Sequence, residues 1–202
     1  FHRLLAALTR KSFLKHGVEN GRYDIHELMR QLGAEKLAED DMLEMKAHNS
    51  HASYFCEFLH QLGEDLKGKR QKDAVKELEL DFENGRNAWN WAVSHRMFDH
   101  LQKILLLWEH LLIVWRSRVQ EADNLYGILI ESLEKEESLL ALQLSILAFL
   151  CRARSLRILG HFDKAAQLQK KGQQLFLQPP ISELRIWPGK IFVLRHLWET
   201  DV

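Results

Sequence analysis

The sequence is poor in the residues that break helices or cross-link a chain. Among its 202 residues only three are proline and two are cysteine. The prolines are Pro179, Pro180 and Pro188, so proline does not interrupt helix anywhere in the preceding sequence. Cys56 and Cys151 lie far apart, and we expect both to be reduced core residues of a cytoplasmic protein.

The sequence also lacks an excess of charge and a long apolar run. Its 28 basic residues balance 28 acidic ones, without the basic excess typical of nucleic-acid-binding proteins. The longest apolar run, Ile104 to Trp115, is interrupted by Glu109 and His110 and is too short to cross a bilayer. No signal peptide begins the chain, and Phe1 already lies in an apolar pattern. We therefore expect no membrane contact and interpret the chain as part of a longer protein.

Apolar residues recur at helical spacing from about residue 50 onward, which predicts six helices. The six patterns cover Phe55–Leu66, Val75–Ala92, Met97–Trp115, Val119–Leu133, Leu139–Leu159 and Phe162–Leu177. They pair into three hairpins of about 40 residues each, a length typical of helical repeats. The turn Gly160–Ala165 resembles that of a tetratricopeptide unit, although Arg152 and Gln169 depart from that pattern. We predict a mainly α fold, with a tetratricopeptide-like helical-hairpin stack over residues 41–180.

The first 40 residues follow a different pattern. Ser12–His16 and Arg22–His26 are predicted to form two short strands joined by a glycine-bounded turn. Leu4, Leu5 and Leu8 indicate a helix before this hairpin, and a helical apolar pattern follows it. The order helix, hairpin, helix predicts the C-terminal part of a winged-helix domain over residues 1–40. Residues 181–202 are predicted to be a partial further repeat or a tail.

Four segments resemble STAND-class signalling ATPases and multidomain bacterial transcription regulators. They are Leu4–Leu14, Tyr23–Leu37, Tyr54–Leu59 and Asp81–Ala92. The second contains Ile25-His26-Glu27, where the family usually has Met-His-Asp. The resemblance implies that His26 contacts bound ADP, that an upstream P-loop ATPase domain binds ADP or ATP, and that this segment holds no cofactor itself. Gly85 departs from the large aliphatic residue usual at its position.

Other candidate sites have simpler interpretations. His26 could instead be a local helix cap. Gly63–Arg70 resembles a phosphate-binding loop, but Arg70 lacks the required hydroxyl and the segment follows a helix, so an inter-helix turn is favoured. His48, His51, Cys56 and His60 have partial metal-ligand spacing, but Cys56 lies about 80° around the helix from His48, and no metal site is predicted. No catalytic residues are predicted, and the tryptophans on the apolar patterns are expected in the core.

The leading hypothesis is a non-catalytic sensor segment that couples binding on a helical arm to a nucleotide switch. Its expected partners are an intramolecular nucleotide-binding domain and an unidentified protein or small molecule on the arm. The alternative is a free-standing helical-repeat scaffold for protein interaction. DNA binding through Arg3, Arg10, Lys11 and Lys15 is a weaker third hypothesis, because that basic cluster is small.

Overall fold

The computed structural model describes residues 2–17, 21–66, 68–115 and 117–183, with the side chains of 114 and 115 outside that description. Within this part the chain forms eight α-helices and one two-stranded sheet, which confirms the predicted mainly α class with a small hairpin. The helices are α1 His2–Arg10, α2 Glu27–Leu37, α3 Asp41–Asp65, α4 Gln71–Ser94, α5 Phe98–His110, α6 Val119–Leu133, α7 Leu139–Ile158 and α8 Phe162–Leu177. The predicted tail is described only as far as residue 183, so Trp187 and Trp198 lie outside the described residues.

The chain divides into two compact units between His48 and Asn49, within α3. In the first unit, β1 Leu14–His16 pairs antiparallel with β2 Tyr23–Ile25. The predicted hairpin is therefore confirmed, although β1 begins two residues later than predicted and β2 is one residue shorter at each end. Residues 18–20 of its turn lie outside the described part.

The second unit contains the helices of the three predicted hairpins, and side-chain contacts show that the two helices of the first and of the third are antiparallel. Asn49 of α3 accepts a hydrogen bond from Trp91 of α4, whereas Leu59 of α3 faces Gly85, so residue numbers rise in one helix as they fall in the other. These two helices are therefore antiparallel. In α7 and α8, Arg157 meets Gln169 and Leu150 meets Gly172, which gives the same antiparallel arrangement.

The first helices of successive hairpins run parallel to one another. Lys103 of α5 bonds Glu57 of α3 at 3.0 Å, and Leu107 of α5 lies beside Gly63 of α3. The next pair follows the same rule, with Gln102 and Glu109 of α5 bonded to Gln143 and Arg154 of α7, respectively. Successive hairpins therefore have the same orientation, as in a helical-repeat protein.

Local signals explain where α7 and α8 begin. Ser138 caps α7, since its hydroxyl oxygen accepts a hydrogen bond from the Ala141 N–H at 3.2 Å. Gly160 follows α7 with a φ of +83°, in the left-handed region that glycine enters without steric cost. Pro179 follows α8, and the predicted range Phe162–Leu177 matches this helix. The glycine turn and the proline therefore bound α8 as the sequence predicts.

The third predicted helix differs from the structure. The regular helix α5 ends at His110, and Leu111–Trp115 continue as a π-helical turn. Such a wider turn depends on packing around the helix and leaves the apolar pattern continuous, so no local sequence signal marks it. Residue 116, which comes next in the chain, lies outside the described residues.

An aromatic cluster fills the core between α4, α5 and α6. The Trp108 ring stacks on Phe82 and Trp89 at centroid distances of 5.4 and 6.2 Å, and Trp89 meets Tyr126 edge to face. Trp89 and Trp108 are both buried, which confirms that they are core residues. The side chain of Trp115, predicted with them, lies outside the description. Both cysteines are free and buried, as expected.

Helix α7 is central to the second unit. It packs against α5, α6 and α8. Within the described residues it is the one helix long and apolar enough to cross a membrane, and 61% of its apolar stretch is buried inside the structure. Core helices of soluble proteins have the same length and composition, so this observation is weak evidence for a membrane span. The longest apolar run of the sequence, Ile104–Trp115, lies instead in α5 and the π-helical turn that follows it.

Candidate functional site

His26, the predicted nucleotide sensor, is the N-cap of α2. Its backbone is extended, with φ −63° and ψ 140°, and its Nδ1 accepts a hydrogen bond from the Leu28 N–H at 3.3 Å. Nδ1 can accept only when it carries no proton, so the capping ring is the neutral form with its proton on Nε2. Local capping, the simpler interpretation of His26, is therefore present in the structure.

The cap leaves the Nε2–H of His26 able to donate to another group. The side chain is exposed, as are Glu27 and Leu28 in the first turn of α2. An N–H donor beside the positive end of a helix is suited to a phosphate oxygen. Protonation would place a hydrogen on Nδ1 and remove the cap, so the neutral ring is the form that could serve both contacts.

The residue after His26 is held by neighbours on the same helix. Arg30 donates two hydrogen bonds to the Glu27 carboxylate, at 2.8 and 2.6 Å, and Gln31 donates a third at 3.0 Å. The hydrogen bond from Arg30 is the main cause that lowers the pKa of Glu27. Glu27 is fully exposed, so this ion pair orders the first turn of α2 more than it stabilises the unit.

The first unit exposes its apolar residues. None of its described residues from 2 to 48 is buried. Leu28 and Leu32 of α2 are 63% and 47% exposed, and Ile25 of β2 is 45% exposed. A surface of this kind on a small hairpin-and-helix unit is typical of a segment that packs against further polypeptide. The four basic residues of the DNA-binding hypothesis are also exposed in this unit: Arg3, Arg10, Lys11 and Lys15.

The segment that resembles a phosphate-binding loop is an inter-helix turn, as predicted. Gly63 lies inside α3, and the turn begins after Asp65. Arg70, which replaces the hydroxyl residue of the motif, binds Asp65 at 2.7 Å and Glu77 at 2.9 Å. The guanidinium therefore joins the end of α3 to the start of α4.

Residues of the partial metal-ligand pattern on α3 take part in packing and are not grouped as ligands. Cys56 is fully buried, and burial raises the pKa of its thiol to about 11. The His51 ring packs on Phe55 at a centroid distance of 4.7 Å. Among the described residues, no group of three or more histidine, cysteine, aspartate or glutamate side chains is placed to hold a metal ion.

Partly buried ion pairs join the second and third hairpins, and no local sequence pattern predicts them. Arg154 of α7 donates to Glu109 of α5 at 2.6 Å, and only 3% of the Glu109 side chain is exposed. Arg152 of α7 donates to Asp123 of α6 at 2.8 Å, where Gly127 lets its guanidinium approach the helix. The sequence does contain charged residues at core-facing positions, and a buried charge requires a partner. That charge is the one sequence feature that indicates such pairs.

The two departures from the tetratricopeptide pattern are explained by such contacts. Arg152 is paired with Asp123, and Gln169 accepts a hydrogen bond from Arg157 at 3.1 Å. Polar side chains at these positions therefore form an ion pair between α7 and α6 and a hydrogen bond between α7 and α8.

Two further titratable side chains, Tyr126 and Cys151, lie in the core near the Glu109–Arg154 pair. Burial raises the pKa of Tyr126 and of Cys151 well above their usual values, and the nearby Glu109 carboxylate acts in the same direction. A thiol with a raised pKa is a poor nucleophile. The arrangement therefore has the character of a structural polar cluster.

Comparisons of the chain with family models, with curated proteins and with solved structures gave no match.

Proposed function

We propose that this chain is a non-catalytic sensor segment of a STAND-type, ATP-dependent signalling or transcription regulator in the cytoplasm. Residues 1–40 would complete a winged-helix domain, and residues 41–180 would form a tetratricopeptide-like arm. A ligand or protein bound to the arm would bias the longer protein, here called the parent, between ADP-bound and ATP-bound states. Such coupling requires binding that differs between those states. The parent's ATPase domain would hold the nucleotide.

The observation that carries this proposal is the exposed first unit with His26 at the start of α2. The hairpin and α2 leave Ile25, Leu28 and Leu32 uncovered. An adjoining nucleotide-binding domain would bury these residues and bring a phosphate near the Nε2–H of His26. The proposal thereby gives one reason for both the uncovered apolar surface and an imidazole at the strand-to-helix junction.

The second unit supports the sensor part of the proposal. Its hairpins share one orientation, and the Glu57–Lys103 and Gln102–Gln143 bonds join the first helices of neighbouring hairpins. In the proposed arm these helices would form a continuous surface on which a ligand could contact more than one hairpin.

Two substitutions of His26 separate a nucleotide contact from helix capping. Asparagine caps helices as well as any residue, whereas alanine does not. We expect the His26→Asn parent to bind ADP roughly tenfold or more weakly, because a hydrogen bond to a charged phosphate is lost while the cap is kept. Calorimetric titration with ADP measures this, with circular dichroism as a check that the helices are retained.

The matched control is His16→Asn, an exposed histidine on β1 whose ring contacts Tyr23. Its ADP affinity should equal that of the unchanged parent. If His26→Asn also binds ADP at full strength while His26→Ala loses helix stability, then His26 is a cap alone and the nucleotide role is wrong.

A free-standing interaction scaffold is the second candidate. The second unit favours it, because its core from α3 to α8 is extensive and contains the buried aromatic cluster. The coding sequence upstream distinguishes the two candidates. A P-loop ATPase domain directly before this segment supports the switch, and its absence supports the scaffold.

A further inference from the structure

Two polar groups in the core of the second unit have no hydrogen-bond partner among the described residues. They are the indole N–H of Trp108 on α5 and the hydroxyl of Tyr126 on α6. Both side chains are fully buried. A buried polar group without a partner costs free energy, so most such groups in folded proteins are paired with other protein groups or with ordered water. These two groups therefore indicate a partner other than the side chains around them.

A third polar group with spare capacity lies beside them. Glu109 follows Trp108 on α5, and only 3% of its side chain is exposed. Among the described residues its carboxylate accepts one hydrogen bond, which Arg154 of α7 donates to Oε1 at 2.6 Å. An ionised carboxylate can accept about four hydrogen bonds. The second oxygen of Glu109 can therefore accept from a further donor inside the core.

The Tyr126 hydroxyl and the Glu109 carboxylate interact without a direct hydrogen bond. Burial is the main cause that raises the pKa of Tyr126, and the charge of Glu109 raises it further, so the two groups are close. The hydroxyl nevertheless has no hydrogen bond within the described part of the chain. A water molecule commonly links polar groups that are close but not in contact.

Water fits these groups better than an ion does. Arg154 already balances the charge of Glu109, so the site has no net charge to attract a cation. The carboxylate would repel an anion. The Trp108 N–H can only donate and the carboxylate can only accept, so a molecule that serves both must itself accept and donate. Water does both, and it is small enough for a closely packed interior.

We propose that the core between α5, α6 and α7 encloses a water molecule that accepts a hydrogen bond from the Tyr126 hydroxyl and donates one to the Glu109 carboxylate. Because Arg154 of α7 holds the same carboxylate, this water links α6 to the ion pair between α5 and α7. The hydrated core also supplies an acceptor for the Trp108 N–H. With these three groups the water has about the three hydrogen bonds that are typical of buried water.

This inference does not depend on the proposed nucleotide switch, and its test contains no nucleotide. The measurement is oxygen-17 magnetic relaxation dispersion of water in a solution of the 202-residue chain. Its amplitude reports how many water molecules stay inside the protein for longer than the protein takes to tumble. Surface water exchanges too fast to contribute, so enclosed water is counted separately.

The decisive variant is Tyr126→Phe, which removes the hydroxyl and keeps the ring that packs edge to face on Trp89. We expect the dispersion amplitude to fall by about one water molecule. The ratio of folded to unfolded protein, measured by urea unfolding, should fall roughly fivefold, because the hydrogen bonds of a buried water are lost. The matched control is Tyr54→Phe on α3, since Tyr54 is 63% exposed. In this control the amplitude should be unchanged and the folding ratio should stay within about twofold.

Three results would overturn the proposal. An unchanged amplitude with a more stable Tyr126→Phe variant would show that the hydroxyl has no partner in the folded protein. An unchanged amplitude with a less stable variant would show that Tyr126 donates directly to the Glu109 carboxylate. An equal loss of amplitude in Tyr54→Phe would show that the enclosed water does not depend on the Tyr126 hydroxyl.

Discussion

Glycine at position 85 allows three helices of the second unit to approach one another closely. A Cβ atom placed there would lie 3.1 Å from Leu59 Cδ1 of α3 and 3.1 Å from Trp108 Cζ3 of α5. Trp108 is stacked against Phe82 and Trp89, so its ring has little freedom to move. The Trp108 ring therefore occupies the space that a larger side chain at position 85 would need.

We expect Gly85→Ala to lower the free energy of unfolding by about 1 kcal/mol. Alanine is the better helix former, but the crowding of its methyl group should outweigh that gain. Gly63→Ala is the matched control, since the nearest atom to its Cβ would be Leu107 Cδ2 at an ordinary 3.4 Å. That variant should gain roughly 0.5–1 kcal/mol. Urea unfolding measures both, and stabilisation by both substitutions would show that Trp108 has room to move.

The buried thiol of Cys56 should make stability depend on alkaline pH. Burial raises its pKa to about 11, above the value of an exposed thiol. As pH rises above about 9, the unfolded chain gives up this proton while the folded chain keeps it, so the free energy of unfolding falls. We expect a loss of about 2 kcal/mol by pH 11 from this group. Below pH 8 both states keep the proton and the effect vanishes.

Comparison with Cys56→Ala isolates the contribution of this thiol. Other buried groups, including Cys151 and Tyr126, also titrate at high pH and contribute in both proteins. The difference in unfolding free energy between wild type and variant should therefore shrink between pH 8 and 11. A constant difference over that range would contradict the raised pKa.

At the scale of elements, the sequence predicts helices best where a turn residue coincides with the end of an apolar pattern. Helix α8 follows the glycine turn at Gly160 and ends just before Pro179, and its predicted range was correct. The pattern before Trp115 has no such marker, and there the structure contains a π-helical turn that depends on packing. Local chemistry was therefore predictable from the sequence, whereas a change of helix type was not.

The same distinction applies to side-chain partners. His26 lies beside the helix that it caps, so capping could be considered from the sequence alone. Glu109 and its partner Arg154 are 45 residues apart, and only the packing of α5 on α7 brings them together. A ligand contact of His26 depends on a further molecule, so it stays a prediction. The sequence could indicate which residues need partners, but the fold decides which partners they obtain.

At the scale of the whole molecule, the two units differ in what holds them together. The second contains a continuous buried core from α3 to α8, whereas the described part of the first contains no buried residue. Hydrophobic burial is the main stabilising contribution to folding, so the units should differ greatly in their resistance to opening. The first unit should therefore open more readily than the second, and a domain that covered it would protect it.

Amide hydrogen exchange tests this difference. In the isolated chain we expect the amides of α2 to exchange roughly a hundredfold or more faster than those in the centres of α4 and α7, after correction for sequence effects. In the parent, where an ATPase domain would cover Leu28 and Leu32, the α2 amides should slow, while those of α7 stay unchanged and serve as the internal control. Slow exchange of α2 in the isolated chain would show that the first unit is stable without a covering domain.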